Sequence, residues 1–444
     1  MHTTIVILRI IFTGVLSTYA LLTIGYLATQ IRFAHRTYRR LRAVPGNFGP
    51  AAALPSVDVI IPCFNEQPEV LASCLRSVAN QDYKGLLTVY VVDDGSRNRQ
   101  QLQAVYDEFG RDRRFVILPL TANAGKRKAQ VAAIRQSVGD LVVAIDSDTT
   151  IEPDVVGKLA AAMADPGVGA AMGHMVASNS RATWLTRLVN MEYWIACNQE
   201  RAAQSVFGAV MCCCGPCAVY RRSALTAVLD DYETQMFRGR PSDFGEDRHL
   251  TILILRSGLR TVYVPDATAA TVVPERIRPY LRQQLRWARS TYRDTLLAIR
   301  ILPRLHRYLT LDVIGQNLAS LLLFLSMITG LALVAVSAAP PPWWSVATIA
   351  GISLLHCTYG AWRARNLAFF GFAFHEFINI GLLLPLKLYA LCTLGNTTWG
   401  SRTLPATQHT SATQHTSATQ HVITTTGFPA HADSRGTHEK VVPL

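Results

Sequence analysis

Two apolar, largely β-branched runs in this chain end in carboxylates. Leu87-Thr88-Val89-Tyr90-Val91-Val92 is followed by Asp93-Asp94-Gly95, and Leu141-Val142-Val143-Ala144-Ile145 by Asp146-Ser147-Asp148. Runs that stay apolar for this length are strands buried on both faces, the condition of a parallel sheet covered by helices. Carboxylates at the carboxyl end of such a strand lie on the edge where open α/β sheets take their ligands. The expected fold is therefore α/β, a mostly parallel mixed sheet with helices on both faces. Val57-Asp58-Val59-Ile60-Ile61 reads as the first strand, ended by Pro62, with Asn65-Glu66 opening the loop before a helix through Leu71, Leu75 and Val78. The strand Val116-Ile117-Leu118 and a helix from about Lys126 continue the alternation.

The same chain carries a second architecture. Of its 444 residues 50% are hydrophobic and only 16% charged, low for a wholly soluble protein. Residues 10–27 are apolar over the length of a bilayer span. A cleavable signal carries its charge ahead of the apolar run, whereas here Arg32, Arg36, Arg39, Arg40 and Arg42 follow it. By the positive-inside rule the amino terminus is then outside and the next domain in the cytoplasm. After Arg307 three further spans are expected, near 311–336, 345–362 and 369–394, which puts the carboxyl tail outside as well. The last span contains His375, Glu376, Asn379, Pro385 and Lys387, and polar groups at that depth face protein or a cavity. The tail repeats Ala-Thr-Gln-His-Thr-Ser from Ala406 and again from Ala412, too poor in apolar side chains to build a core. The organisation expected is a membrane helix over 1–30, a basic cytoplasmic linker over 31–56, a catalytic domain over 57–270 and interfacial helices over 271–310. About three membrane helices over 311–394 and a disordered tail over 395–444 complete it.

The net charge of +13 lies beside the apolar spans and not in an aromatic-interleaved patch, so the bilayer, not nucleic acid, is the expected partner. Nine cysteines without framework or zinc spacing suit a reducing compartment.

The polar islands are those of a site that transfers a sugar from a nucleotide. Asp146 and Asp148 offer hard oxygen donors for a divalent cation, Mg2+ or Mn2+, which would neutralise a diphosphate. Asn65, Glu66, Asp93 and Asp94 share that edge and are expected to hold the nucleotide, although an Asp-Asp-Gly can also simply cap its turn. Lys126, with Arg127 and Lys128, opens a helix whose free N–H groups favour phosphate. Gly245-Glu246-Asp247 supplies a carboxylate to take a proton from an attacking hydroxyl, with Asp247 as base and Glu246 as its support. Gln283, Arg286 and Trp287 lie in a helical stretch where Arg278, Arg282, Arg286, Arg289 and Arg293 form one basic stripe, an interfacial anchor by default. Arg286 can also reach the leaving diphosphate and Trp287 stack on an acceptor sugar. Cys212-Cys213-Cys214-Gly215-Pro216-Cys217 is assigned to lining the acceptor site, its cysteines as compact hydrophobes.

With these residues in view, the chain resembles the processive family 2 glycosyltransferases, which include cellulose, chitin and hyaluronan synthases. Within them it is most similar to the rhizobial chitin-oligosaccharide synthases of nodulation. The likeness is carried by Tyr90 to Asn98, Met191-Glu192-Tyr193-Trp194, Cys212 to Cys217, Pro241 to His249 and Gln283 to Thr291. It implies a GT-A fold and β-1,4 polymerisation of N-acetylglucosamine from UDP-N-acetylglucosamine onto a growing chitin oligosaccharide. It further implies an inner-membrane location and downstream proteins that modify and export a lipo-chitin nodulation factor. The roles it implies are Asp93 or Asp94 for the nucleotide, Asp146 and Asp148 for nucleotide and metal, Asp247 for the base, and Gln283, Arg286 and Trp287 for acceptor and diphosphate. One rival is a hyaluronan synthase or other polysaccharide synthase, the former needing a second sugar nucleotide. A remoter rival is a transporter or scaffold that only binds a nucleotide, but the spans show no internal repeat.

Overall fold

The computed structural model describes residues 2–43, 54–337 and 342–396. The tail beyond Asn396, residues 44–53 of the expected linker and residues 338–341 lie outside the described residues.

Ten strands are described: β1 (Val57–Cys63), β2 (Leu87–Asp93), β3 (Phe115–Pro119), β4 (Leu141–Ala144), β5 (Thr149–Ile151), β6 (Val168–Ala177), β7 (Ala218–Arg221), β8 (Met236–Phe237), β9 (Arg240–Pro241) and β10 (Arg260–Thr271). Eight form one sheet in the order β3-β2-β1-β4-β7-β6-β10-β5, and β8 and β9 make a separate hairpin. β1, β2, β3 and β4 run parallel, while β7 is antiparallel to both β4 and β6. The sheet is mixed as expected, and both faces are covered. One face carries the helices Pro68–Ala79, Arg99–Phe109 and Val155–Ala162, and the other Lys126–Gln136, Trp184–Ile195 and Glu246–Arg256.

Pro62 does not end β1, which runs on to Cys63. Alternate residues of a parallel strand bond to opposite neighbours, and Ile60 faces β4, its carbonyl accepting from the Ile145 N–H. The missing N–H of Pro62 therefore points to the β4 side, beyond the last β1–β4 pair at Ile60↔Ala144, while pairing with β2 continues to Cys63↔Asp93.

The first helix is one unbroken element, His2–Ala43, so the expected boundary at residue 30 is not a structural break. Three described helices are long and apolar enough to cross a membrane: His2–Arg39 within the first helix, Arg307–Ser337 and Leu367–Cys392. Trp343–Ala364, expected as a span, is 22 residues long but is not among them, its polar and aromatic residues (Trp343, Trp344, His356, Tyr359, Trp362) diluting its apolar ones. It nevertheless lies along the first helix, with Trp344 against Phe12 at one end and Arg363 over the Tyr38 ring at the other. Arg307–Ser337 runs antiparallel to the first helix, with Tyr308 beside Phe33 and Gly315 against Tyr26. A shared apolar cluster of Phe12, Leu16, Tyr19, Leu323, Leu333, Ile352 and Leu384 joins all four segments.

The last run, Leu367–Cys392, behaves differently from a simple crossing. Pro385 lacks an N–H, and a π-type turn at Asn379–Leu383 takes up the disturbance just before it. The run begins with Phe369 against Trp194 of the catalytic half, and just past its end the Thr393 hydroxyl accepts from Arg289 Nη2 at 2.9 Å. Both ends thus rest on the side that carries the sheet.

Candidate active site

Register explains why distant islands meet. β1, β2 and β4 are parallel neighbours, so Asn65-Glu66, Asp93-Asp94 and Asp146-Ser147-Asp148 all follow strand ends on one edge. β7 enters antiparallel with Ala218 opposite Ala144, which brings the preceding Gly215 to that edge. A Cβ on Gly215 would sit 2.9 Å from Lys126 Nζ and 3.3 Å from Asp146 Oδ1, so a side chain there would displace the ammonium from its place beside Asp146.

At the centre Lys126 bridges two carboxylates, with Nζ 2.6 Å from Asp146 Oδ1 and 2.8 Å from Glu246 Oε1. Burial works against charge on Lys126, yet the two carboxylates hold its ammonium well above the usual lysine value. Burial raises Asp146, opposed by Lys126 and reinforced by Asp148. Glu246 is also penalised by burial, but Lys126 wins and holds it down at about 2. Asp247 is raised, first by burial and then by the Glu246 charge. It accepts from the Gly215 N–H at 3.3 Å and from the Arg248 N–H at 2.8 Å. Both acids occupy the first turn of Glu246–Arg256, where the free N–H groups of a helix start favour negative charge.

Asp146 and Asp148 are part-exposed, while Ser147 between them is buried and donates to Glu66 Oε2 at 2.8 Å. Two outward carboxylates on a loop fixed by its inward middle residue form a hard oxygen donor set of the kind a divalent cation takes. The expected nucleotide ligands are less open. Asp93 is fully buried, with one oxygen accepting from the Ser96 N–H and the other from Arg99 Nε at 2.6 Å. Asp94 accepts from the backbone N–H groups of Ala124 (2.7 Å) and Gly125 (2.9 Å), tethering the loop that delivers Lys126. The turn-holding reading is thus the one this geometry favours for both. Asn65, at φ +50°, accepts from the Arg97 N–H. Arg127 does not join the phosphate edge either, being buried and donating to the Tyr232 carbonyl.

Gln283, Arg286 and Trp287 lie on the helix Ile277–Ala298. Trp287 stands 6.3 Å from the Tyr193 ring, and burial pushes the Tyr193 hydroxyl up, followed by the charges of Glu192, Cys214 and Asp148. That environment ties this helix to the site. Gln283 Oε1 is buried and finds no donor among the described residues. The expected single basic stripe is divided. Arg278 and Arg282 are exposed, Arg289 donates to Thr393, and Arg293 is buried against Phe244 and donates to Ser242 Oγ at 2.7 Å.

One group escaped the sequence reading, and another entered it only through the resemblance. Arg201, half-buried in a π-type turn, donates to Cys214 Sγ at 3.3 Å, and Cys212 Sγ lies 3.8 Å from Cys214 Sγ. The Cys214 thiol is pulled down to about 7, first by Cys212, against burial, with Arg201 assisting. Both sulfurs lie within 4.8 Å of an Asp247 oxygen. Cys214, buried in the apolar cluster as a compact side chain, is therefore also a polar neighbour of the acid cluster. Glu192 accepts from Tyr280 and Gln284, each at 3.2 Å. No spacing along the sequence links Arg201 or Glu192 to the site, because their partners Cys214, Tyr280 and Gln284 lie 13 or more residues away in the chain.

Residues 58–229 match the family model described as glycosyl transferase family 2. An N-acetylglucosaminyltransferase of Sinorhizobium fredii is 60% identical over 391 residues, covering 88% of this chain and 94% of that protein. Another, from a Rhizobium species (strain N33), is 64% identical over 354 residues, 79% of this chain and 78% of that protein. Among solved structures, a mannosyltransferase from Pyrobaculum calidifontis in complex with GDP-Man and Mn2+ aligns over 84% of this chain and 98% of its own, with TM-score 0.58 and 24% identity. That likeness shows a common GT-A fold.

Proposed function

From the premise that this chain is a glycosyltransferase of family 2, belonging with the rhizobial N-acetylglucosaminyltransferases, we propose that it is an inverting, processive β-1,4-N-acetylglucosaminyltransferase. It extends short chitin oligosaccharides from UDP-N-acetylglucosamine, as a nodulation-type synthase would. The observation that carries this reading is the meeting of Asp146, Lys126, Gly215, Glu246 and Asp247 at the carboxyl edge of the sheet.

In the reaction an acceptor hydroxyl attacks the anomeric carbon on the face opposite the diphosphate. The new C–O bond forms, the bond from that carbon to the UDP oxygen breaks, and the proton passes to an Asp247 oxygen. A raised Asp247 suits the task, because a carboxylate with greater proton affinity is a stronger base. Glu246 raises it by charge, and its ion pair to Lys126 fixes that charge in place. Lys126, held between Asp146 and Glu246 at that edge, would stabilise the leaving diphosphate. Gln283, with an unfilled acceptor, and Trp287 bind and orient the acceptor sugar. Asp146 and Asp148 would hold Mg2+ or Mn2+, which when bound neutralises charge on the leaving diphosphate.

The test is to incubate membranes containing the protein with UDP-N-acetylglucosamine and a divalent cation and to size the products by mass spectrometry. A ladder of a few N-acetylglucosamine units is expected, reduced on the order of 10²–10⁴-fold by Asp247→Asn with UDP binding kept. Product appearing only once UDP-glucuronate is added would move the assignment to hyaluronan synthesis.

A further inference from the structure

Between the first helix and Trp343–Ala364 lies an open cavity of about 420 Å³ lined by Ile31, Arg32, His35, Arg36, Arg39, Tyr359, Trp362 and Arg363. Four of these eight side chains are guanidinium groups. Among the described residues none of the four forms an ion pair with a carboxylate. Asp266, whose charge reaches Tyr38, is not among the lining residues. The cavity sits where the apolar stretches of both helices stop: Ile31 and Tyr359 form its apolar part, and Trp362, 66% exposed, stands at its rim as interfacial tryptophans do. One wall is preorganised. The Arg363 guanidinium stacks 3.9 Å over the Tyr38 ring, and the Tyr38 hydroxyl is fixed by donating to Asn198 of the catalytic half.

Arginines that merely set membrane orientation need only project into water. These converge on a concave, aromatic-walled volume at the depth of lipid headgroups, and basic pockets between membrane helices take anionic headgroups. We propose that this pocket binds the phosphate headgroup of an anionic phospholipid in the leaflet facing the catalytic domain. Arg32, Arg36 and Arg363 contact the phosphate oxygens, and the acyl chains pass over Ile31 and Tyr359 into the bilayer. Two neighbouring guanidinium groups can each present paired N–H donors to phosphate, which a zwitterionic headgroup would meet with its own competing ammonium.

The experiment is native mass spectrometry of the full-length protein from detergent containing equal amounts of phosphatidylglycerol and phosphatidylcholine. Wild-type protein is expected to retain phosphatidylglycerol preferentially, and the triple variant Arg32→Gln/Arg36→Gln/Arg363→Gln to retain about a hundredfold less, since three basic groups near an anionic surface each contribute about 1 kcal/mol. The triple Lys variant at the same positions keeps the charge but not the paired donors and is expected to recover retention only in part, and retained UDP binding shows that each variant is folded. If the Gln variant does not fold, Arg36→Gln alone is measured and should show a partial loss. Equal retention of the two lipids by wild-type, or an unchanged Gln variant, overturns the proposal. Displacement of phosphatidylglycerol by millimolar inorganic phosphate would also overturn it, by assigning the pocket to free phosphate.

Discussion

At the scale of single residues, the site depends on how one ammonium is shared. Lys126 lies between Asp146 and Glu246, so Glu246 stays ionised in a buried place while its neighbour Asp247 is raised. A base must be unprotonated to act, so activity falls as pH drops through the Asp247 value. In Glu246→Gln the like charge is gone, Asp247 binds its proton less tightly, and the acid limb of the rate profile should move to lower pH. A limb that stays put would show that Glu246 does not set the base. The same residues show what sequence could reveal. Asp247 and Asp146 were legible because carboxylates stood at element ends. The engagement of Asp93 and Asp94 by backbone N–H groups was not, since it depends on the path of the loops at 96–99 and 122–125.

At the scale of elements, the helix that begins with the two acids and the amphipathic helix Ile277–Ala298 are clamped at one point. Gly245 caps the former at φ +83°, and a Cβ there would fall against Ser290 of the latter. Gly245→Ala should therefore combine left-handed strain with overpacking, costing about 2–5 kcal/mol by those two effects together. Thermal unfolding in detergent measures it, and a change below about 1 kcal/mol would mean that the helices part without penalty. Activity should fall with stability, because the clamp positions Asp247 relative to Trp287. The periodicity of Arg278 to Arg293 suggested one basic face. Arg293 instead packs beside this clamp, on Phe244 and Ser242, and Arg289 holds Thr393 past the end of the last apolar run, roles that no spacing rule separates from lipid contact.

At the scale of the whole molecule, hydropathy identifies apolar segments but not where their ends lie. Leu367–Cys392 is long and apolar enough to cross, yet Phe369 meets Trp194 and Thr393 accepts from Arg289. The chain at Asn396 should accordingly be on the same side as the catalytic domain, against the expectation of an outside tail. With Cys392 replaced by Ser, Asn396→Cys should react with a membrane-impermeant maleimide in inside-out vesicles and not in spheroplasts. Labelling only in spheroplasts would restore a fourth crossing.

The sequence by itself determined the α/β sheet, the edge on which the carboxylates gather and the presence of membrane helices, and it singled out Asp146, Asp148, Glu246 and Asp247 as candidates for the reactive set. These are local properties: β-branched runs, residues at strand ends, charge beside apolar spans. Only the tertiary structure decided that Lys126 bridges two acids from elements 100 residues apart, that Arg201 and Cys214 border the base, and that the last apolar run returns to the catalytic half. Those outcomes follow from which buried charges find partners and which helices share a core, and contacts between residues far apart in the chain leave no periodicity to read.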